Sequence, residues 1–342
     1  MPIRYPRPLR PGDRIGVTSP SSGVAEVLRP RLDVAVRHLE GRGFQVVVGD
    51  CMDGAGPVSA PAYDRAAELT AMLTDPTIRA VVPPWGGELA IDLLSVLDWD
   101  AIAAAEPTWL VGFSDISTLL APLTARTGVA SLHGQNLMDA PYEVPAPLAS
   151  WLDVVTAPAG AVISQGPSRM HRLAGFDDWV ADPAVSRYAL DTPGRWERLD
   201  STDAFTATGR LLGGCIETLS SLAGTLHLDP TAFATEHAPE GLVLYLEAAE
   251  VPAFDVGRRL HGLRDAGWFD AVNAVLVGRT QAPDSPGYTQ RDAVLDALGG
   301  LGVPILGDVD CGHVAPYLAL VNGARAEVAW STSSAVLTQT LV

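Results

Sequence analysis

The pentapeptide Gly112-Phe113-Ser114-Asp115-Ile116 sets a serine between a strand-like run, Thr108-Trp109-Leu110-Val111, and a helix-like run that continues to about Thr124. A sharp turn at such a junction lifts a hydroxyl clear of a sheet and places helix N–H groups beside it, as in a nucleophile elbow. The pattern ends in Ile116 where an elbow commonly has glycine, and a serine before an aspartate at a helix start also serves as an N-cap. A second strand-to-helix junction, Pro84-Trp85-Gly86-Gly87, carries paired glycines. These let the backbone approach a ligand and offer N–H donors to an oxyanion; the alternative is a plain tight turn.

A serine nucleophile needs a base and a group that orients the base. His313 lies in Asp310-Cys311-Gly312-His313-Val314-Ala315-Pro316, a loop marked by glycine and proline. His133, in Leu132-His133-Gly134-Gln135-Asn136, has an equally suggestive setting, and local reading does not choose between them. Glu247 closes the apolar run Gly241-Leu242-Val243-Leu244-Tyr245-Leu246, where a carboxylate either orients a base or pairs with a structural cation; Glu250 is a nearby competitor.

Other chemistries find less support. None of the seven histidines forms HExxH or a close His/Asp pair, and Cys51, Cys215 and Cys311 do not cluster, so no metal is expected. Ser19 to Gly23 is neither a dinucleotide fingerprint nor a Walker loop, and no cofactor is expected. With 40 acidic against 23 basic residues the formal charge is -17, which repels nucleic acid and anionic membranes. Three scattered cysteines, no apolar leader after the N-terminal arginines and no long apolar run point to the cytoplasm without a membrane span.

The elements that must position these residues follow from periodicity. Strands are predicted at Arg14 to Thr18, Phe44 to Val48, Ile78 to Val82 and Thr108 to Val111, with helices around Leu32 to Leu39, Ala62 to Leu73, Glu88 to Leu97 and from Ser114 onward. Alternation of this kind gives a doubly wound parallel α/β sheet over residues 1–150, with ligands at the C-terminal strand ends. Residues 151–204 read as a connector with a functional loop, and 205–342 as a second, mixed α/β domain. The second domain has strands near Ala207 to Leu212, Leu242 to Leu246, Ala274 to Leu276 and Ala326 to Ala329, and helices near Ile216 to Ala223 and Asp255 to Ala266. At 342 residues, two domains meeting at a cleft are expected.

Together the motifs resemble the LD-carboxypeptidases and their microcin C self-immunity relatives. The likeness runs from Arg10-Pro11-Gly12-Asp13-Arg14-Ile15-Gly16-Val17-Thr18-Ser19-Pro20-Ser21 through Trp85-Gly86-Gly87, Gly112-Phe113-Ser114-Asp115 and Leu132-His133-Gly134. It continues with Gly209-Arg210-Leu211-Leu212-Gly213-Gly214, Leu244-Tyr245-Leu246-Glu247 and Gly312-His313-Val314-Ala315-Pro316. The resemblance implies Ser114 as nucleophile, Glu247 as orienting acid and His313 as base, with the N–H groups of Gly87 and Asp115 as oxyanion hole. It also implies a flavodoxin-like N-terminal sheet, a C-terminal domain built around a small barrel, a homodimer and no metal.

Cys215 where the family commonly has Asn, Ala248 where it often has Asp, and Gln135 in place of Pro are departures, and the first two bear on substrate identity. The connector, with Trp179, Arg195 and Trp196, looks more like the microcin-immunity branch, in which aromatic rings stack on an aminoacyl-nucleotide; simple packing of the connector is the other reading. Trp85, Gly86 and Cys215 join these as expected substrate contacts. The expected reaction is hydrolysis of an amide in a murein tetrapeptide or a peptidyl or aminoacyl-nucleotide antibiotic through an acyl-enzyme. The competing reading is a non-catalytic protein that binds a small peptide or nucleotide. An amidotransferase-like enzyme would need cysteine at position 114.

Overall fold

The computed structural model describes residues 1–342. Five parallel strands, β1 (Arg14–Val17), β2 (Gln45–Val48), β3 (Ile78–Val81), β4 (Trp109–Gly112) and β5 (Ser131–His133), form the first sheet. The β4 sequence Trp-Leu-Val-Gly is buried throughout, as a central parallel strand covered on both faces requires. The helices Arg29–Gly41 and Ala62–Thr74 each bury one apolar stripe on this sheet. The helix expected over Glu88 to Leu97 is only a short 3-10 turn, Ala90–Leu93, with a separate helix at Trp99–Ala104 N-capped by Asp98. Residues 114–124 likewise divide into a 3-10 turn, Ser114–Ile116, and an α-helix, Ser117–Thr127.

The second sheet draws on the rest of the chain. Its strands are β6 (Val162–Gln165), β9 (Glu197–Arg198), β10 (Phe205–Cys215), β11 (Leu242–Glu247), β12 (Val272–Gly278), β13 (Ile305–Val309), β15 (Arg325–Ser331) and β16 (Ser334–Thr340). A small ribbon pairs β7 (Met170–His171) with β8 (Thr192–Pro193). The order is β6-β16-β15-β10-β11-β12-β13-β9, with β10 to β13 parallel and the flanks antiparallel. The expected small barrel is therefore corrected to an open sheet: β6 and β9, the end strands, do not pair with each other. At 4 and 2 residues they are too short to supply the staggered ladder that closure needs.

The two sheets interlock. Strand β14 (Leu320–Asn322) leaves the C-terminal region and pairs antiparallel with β5, making the order β14-β5-β4-β3-β1-β2. The helix Ser117–Thr127 is buried from Ser117 to Thr124 and packs on β10 as well as on β5. A Cβ at Gly214, at the end of β10, would stand 2.6 Å from Ser117 Cβ, so only glycine permits this approach. Such contact puts the C-terminal ends of β4 and β11 close together.

Candidate active site

Ser114 follows β4 with φ of 63°, a left-handed conformation that non-glycine residues adopt rarely and at a cost of about 1–3 kcal/mol. The surroundings hold it there. Asn136 Oδ1 accepts the N–H of Phe113 at 3.2 Å, and a Cβ on Gly112 would fall 2.7 Å from that same oxygen. Asp115, only 2% exposed, accepts Ser21 Oγ–H at 2.5 Å and the N–H of Ala90 at 2.7 Å on one oxygen. One buried carboxylate thus ties the turn bearing Ser114 to the loops that follow β1 and β3.

The imidazole of His313 stands between two partners: Nε2 is 2.9 Å from Ser114 Oγ and Nδ1 is 2.8 Å from Glu247 Oε2. Glu247 sits at the last residue of β11 with its side chain fully buried, and a Cβ on Gly312 would lie 2.4 Å from Oε2. Burial alone would raise the Glu247 pKa, but the charge and hydrogen bond of His313 outweigh it and hold the carboxyl below its usual range. Burial alone would lower His313, and the Glu247 charge and hydrogen bond prevail in raising it. The arrangement can take a proton from Ser114 and stabilise the resulting imidazolium.

The glycine pair lies against the serine. A Cβ on Gly86 would stand 2.8 Å from Ser114 Cβ, 3.0 Å from Oγ and 3.1 Å from the amide nitrogen of Asp115. Gly87 has φ of 144°, and its N–H has no acceptor within the protein. Trp85 fixes this loop by donating its indole N–H to the carbonyls of Ser22 and Gly23 at 3.2 and 3.1 Å.

The rival residues fall elsewhere. His133, on β5, is 1% exposed, neither ring nitrogen has a partner, and burial lowers its pKa to about 4. Glu250 is exposed on the loop after β11. Cys215 pairs with Glu247 in the β10–β11 register but is 2% exposed, with its thiol turned to Glu217 Oε2 at 3.1 Å. Burial, then Glu247 and Glu217, push that thiol well up.

None of the three connector residues expected at the substrate hydrogen-bonds to Ser114, His313 or Glu247. Trp196 is 4% exposed, donates its indole N–H to Asp310 at 2.8 Å and accepts Trp330 at its carbonyl, so it is a packing residue without a free face. Arg195 is exposed beside Glu197, on a recess shared with Trp330 and Ser334. Trp179 donates to Tyr142 Oη at 2.9 Å and lies against the Arg31 guanidinium. A cavity of about 500 Å³ is lined by Leu246, Glu247, Val256, Leu260 and Val277 among others, and by neither Ser114 nor His313.

Several supporting residues escaped sequence reading. Asn136, Ser21 and Ser117 sit in polar stretches at strand ends, a signal that marks loops without saying what they hold. Arg279 and Asp310 form a buried pair at 2.7 Å under the loop that carries His313; one charged residue at the end of each of two apolar runs was the available hint.

Residues 15–134 match the LD-carboxypeptidase N-terminal domain and residues 208–328 the LD-carboxypeptidase C-terminal domain. A Streptomyces coelicolor protein named only as a carboxypeptidase is 32% identical, over 97% of this chain and 95% of its own. The murein tetrapeptide carboxypeptidase of Pseudomonas aeruginosa is 27% identical over 92% of each chain. The microcin C7 self-immunity protein MccF of Escherichia coli is 26% identical over 97% of this chain and 95% of its own. A solved structure of MccF in complex with glutamyl sulfamoyl guanosine shares the fold, with a TM-score of 0.80 at 22% identity over 99% of this chain and 98% of that one.

Proposed function

The chain belongs to the LD-carboxypeptidase family, and on that premise we propose that it hydrolyses an amide bond through an acyl-enzyme formed on Ser114. The observation that carries this reading is the file of hydrogen bonds from Ser114 Oγ through His313 to Glu247. In the first step Ser114 Oγ attacks the carbonyl carbon while its proton passes to His313 Nε2. Glu247 keeps the other ring nitrogen protonated and lowers the energy of the imidazolium. The N–H groups of Gly87 and Asp115 receive the developing oxyanion. His313 then returns its proton to the leaving amine, whose departure leaves an ester on Ser114. Water, activated by the same imidazole, attacks the ester and regenerates the hydroxyl.

The names of relatives frame the substrate: one is a murein tetrapeptide carboxypeptidase, and MccF binds an aminoacyl sulfamoyl nucleotide. A murein tetrapeptide or an aminoacyl-nucleotide antibiotic is accordingly our reading for this chain. We also take it as a cytoplasmic homodimer without metal or cofactor. All three cysteines are free, and no helix is long and apolar enough to cross a membrane; light scattering tests the dimer.

Replacing Ser114 with Ala tests the chemistry. Release of D-alanine from the tetrapeptide and cleavage of an aminoacyl-nucleotide, both followed by mass spectrometry, should fall by at least about a thousandfold. Turnover within roughly tenfold of the native rate would overturn the assignment.

A further inference from the structure

Two carboxylates lie at the ends of β10 and β11, and the triad uses one of them, Glu247. The other is Glu217, just past the end of β10 in the short helix Ile216–Leu219. Its Oε1 accepts the backbone N–H groups of three consecutive residues in the loop after β11: Ala249 at 2.8 Å, Glu250 at 3.1 Å and Val251 at 3.4 Å. Its Oε2 accepts the Cys215 thiol at 3.1 Å. Cys215 and Glu247 are the last register pair between these strands, so Glu217 joins them immediately beyond the point where their own ladder stops. Successive N–H groups converging on one oxygen form an anion nest, here filled by the protein's own carboxylate, and bonds to a charged acceptor are about twice as strong as neutral ones.

Both sides of this junction are anchored. The Glu217 carbonyl accepts Arg259 Nη1–H at 3.0 Å, and Arg259, on the helix Ala253–Asp265, also donates to Ser220 Oγ at 2.8 Å. The Cys215 N–H donates at 3.1 Å to Ser117 Oγ, at the start of the helix that follows the Ser114 turn. Thr280 Oγ1 donates to the Ala248 carbonyl at 2.7 Å and supports the same stretch from beyond β12.

Glu247 depends on such support. Its side chain makes one hydrogen bond, from Oε2 to His313 Nδ1; Oε1 is buried without a partner, and the thiol of Cys215, its neighbour across the ladder, is turned to Glu217. No second bond fixes the rotation of the carboxylate, so the strand end must. The space is narrow: a Cβ on Gly278 would lie 2.6 Å from Glu247 Cβ, and one on Gly312 2.4 Å from Oε2. A shift of the strand end is therefore passed on to Oε2, where a misplacement of about 1 Å costs on the order of a hundredfold in rate.

We propose that Glu217 is a positioning residue for the reaction: by bonding Cys215 at the end of β10 to the N–H groups of residues 249–251, it holds Glu247 in line with His313. The inference rests on the acyl-enzyme reading of Ser114, His313 and Glu247. Burial lowers the His313 pKa, Glu247 raises it most and Glu217 adds to that rise, so the test separates the reach of Glu217 from its charge. Glu217→Gln keeps the reach and loses the charge; Glu217→Asp keeps the charge and, one methylene shorter, loses the reach.

Turnover of a murein tetrapeptide and of an aminoacyl-nucleotide is followed in both variants, with thermal melting. Glu217→Asp should lose about a hundredfold in kcat with KM within about threefold of native, and Glu217→Gln should keep kcat within about tenfold. A second readout needs no turnover. The His313 Nδ1 proton, bonded to a carboxylate at 2.8 Å, gives a strongly deshielded proton resonance when His313 is protonated, assigned by its absence from His313→Gln. It should vanish or broaden in Glu217→Asp and persist in Glu217→Gln.

Equal kcat in the two variants, or a deshielded proton unchanged in Glu217→Asp, would overturn the proposal. So would a fall in melting temperature shared by both variants with matching losses of kcat, which would give Glu217 a role in stability alone. A Ser114→Ala protein that still turns substrate over would refute the acyl-enzyme reading, while the His313 resonance would still decide on Glu217. If Glu217→Asp does not fold, Glu217→Ser, which also falls short of the loop, serves in its place.

Discussion

Replacing Glu247 with Gln keeps the shape of a fully buried side chain and removes the charge that faces His313 Nδ1 at 2.8 Å. With charge centres roughly 4 Å apart and an effective dielectric near 20, carboxylate and imidazolium interact by about 4 kcal/mol. That attraction is fully developed only once His313 has taken the serine proton, so it bears on the transition state. At ~1.4 kcal/mol per decade, its loss slows acylation by about a thousandfold. A glutamine amide nitrogen turned toward Nδ1 would also favour the wrong tautomer, taking the loss toward roughly ten-thousandfold.

The pH profile gives a separate test of the same variant. In the native protein Glu247 raises the His313 pKa, so kcat/KM should climb with pH through a midpoint above the usual histidine range. In the variant only the weaker pull of Glu217 and Glu250 opposes the burial that disfavours protonation of His313, and the midpoint moves to lower pH. The linkage signs agree. Glu247, with a depressed pKa, contributes stability above its unfolded value that is lost as pH falls; His313, with a raised pKa, contributes stability below its unfolded value that is lost as pH rises. The assay is D-alanine release from a murein tetrapeptide across pH, with thermal melting to verify the fold. A rate loss under about tenfold, or a midpoint that does not move, would refute the reasoning.

Two further changes probe the scaffold. Gly86→Ala places a methyl 2.8 Å from Ser114 Cβ, and the displaced hydroxyl should cost about a hundredfold in kcat/KM and in labelling by a serine-directed phosphonate; labelling at the native rate would show that the loop stands off the serine. Arg279→Ala strands the buried Asp310 carboxylate, whose ion-pair partner at 2.7 Å is lost, and urea unfolding should report a loss of about 3–5 kcal/mol; a loss under about 1 kcal/mol would mean that the donors left to Asp310, the N–H and hydroxyl of Ser168 and the indole N–H of Trp196, suffice to hold it.

Much of this protein is written in short stretches of its sequence. The all-apolar runs of β4 and β11 mark buried parallel strands, and glycine and proline mark the turns at their ends, because both signals depend on backbone preference and burial within a few residues. The serine at the end of one run and the glutamate at the end of the other were legible for that reason. The choice between His133 and His313 was not local: Ser114 and His313 are 199 residues apart, and motif order rather than periodicity pointed to the pair.

Tertiary structure decided the remainder. It buried Trp196 on Asp310, sent β14 across to the first sheet and left the second sheet open where a barrel was expected. Side-chain partners across a fold depend on how whole sheets and helices pack, and no window of neighbouring residues carries that information.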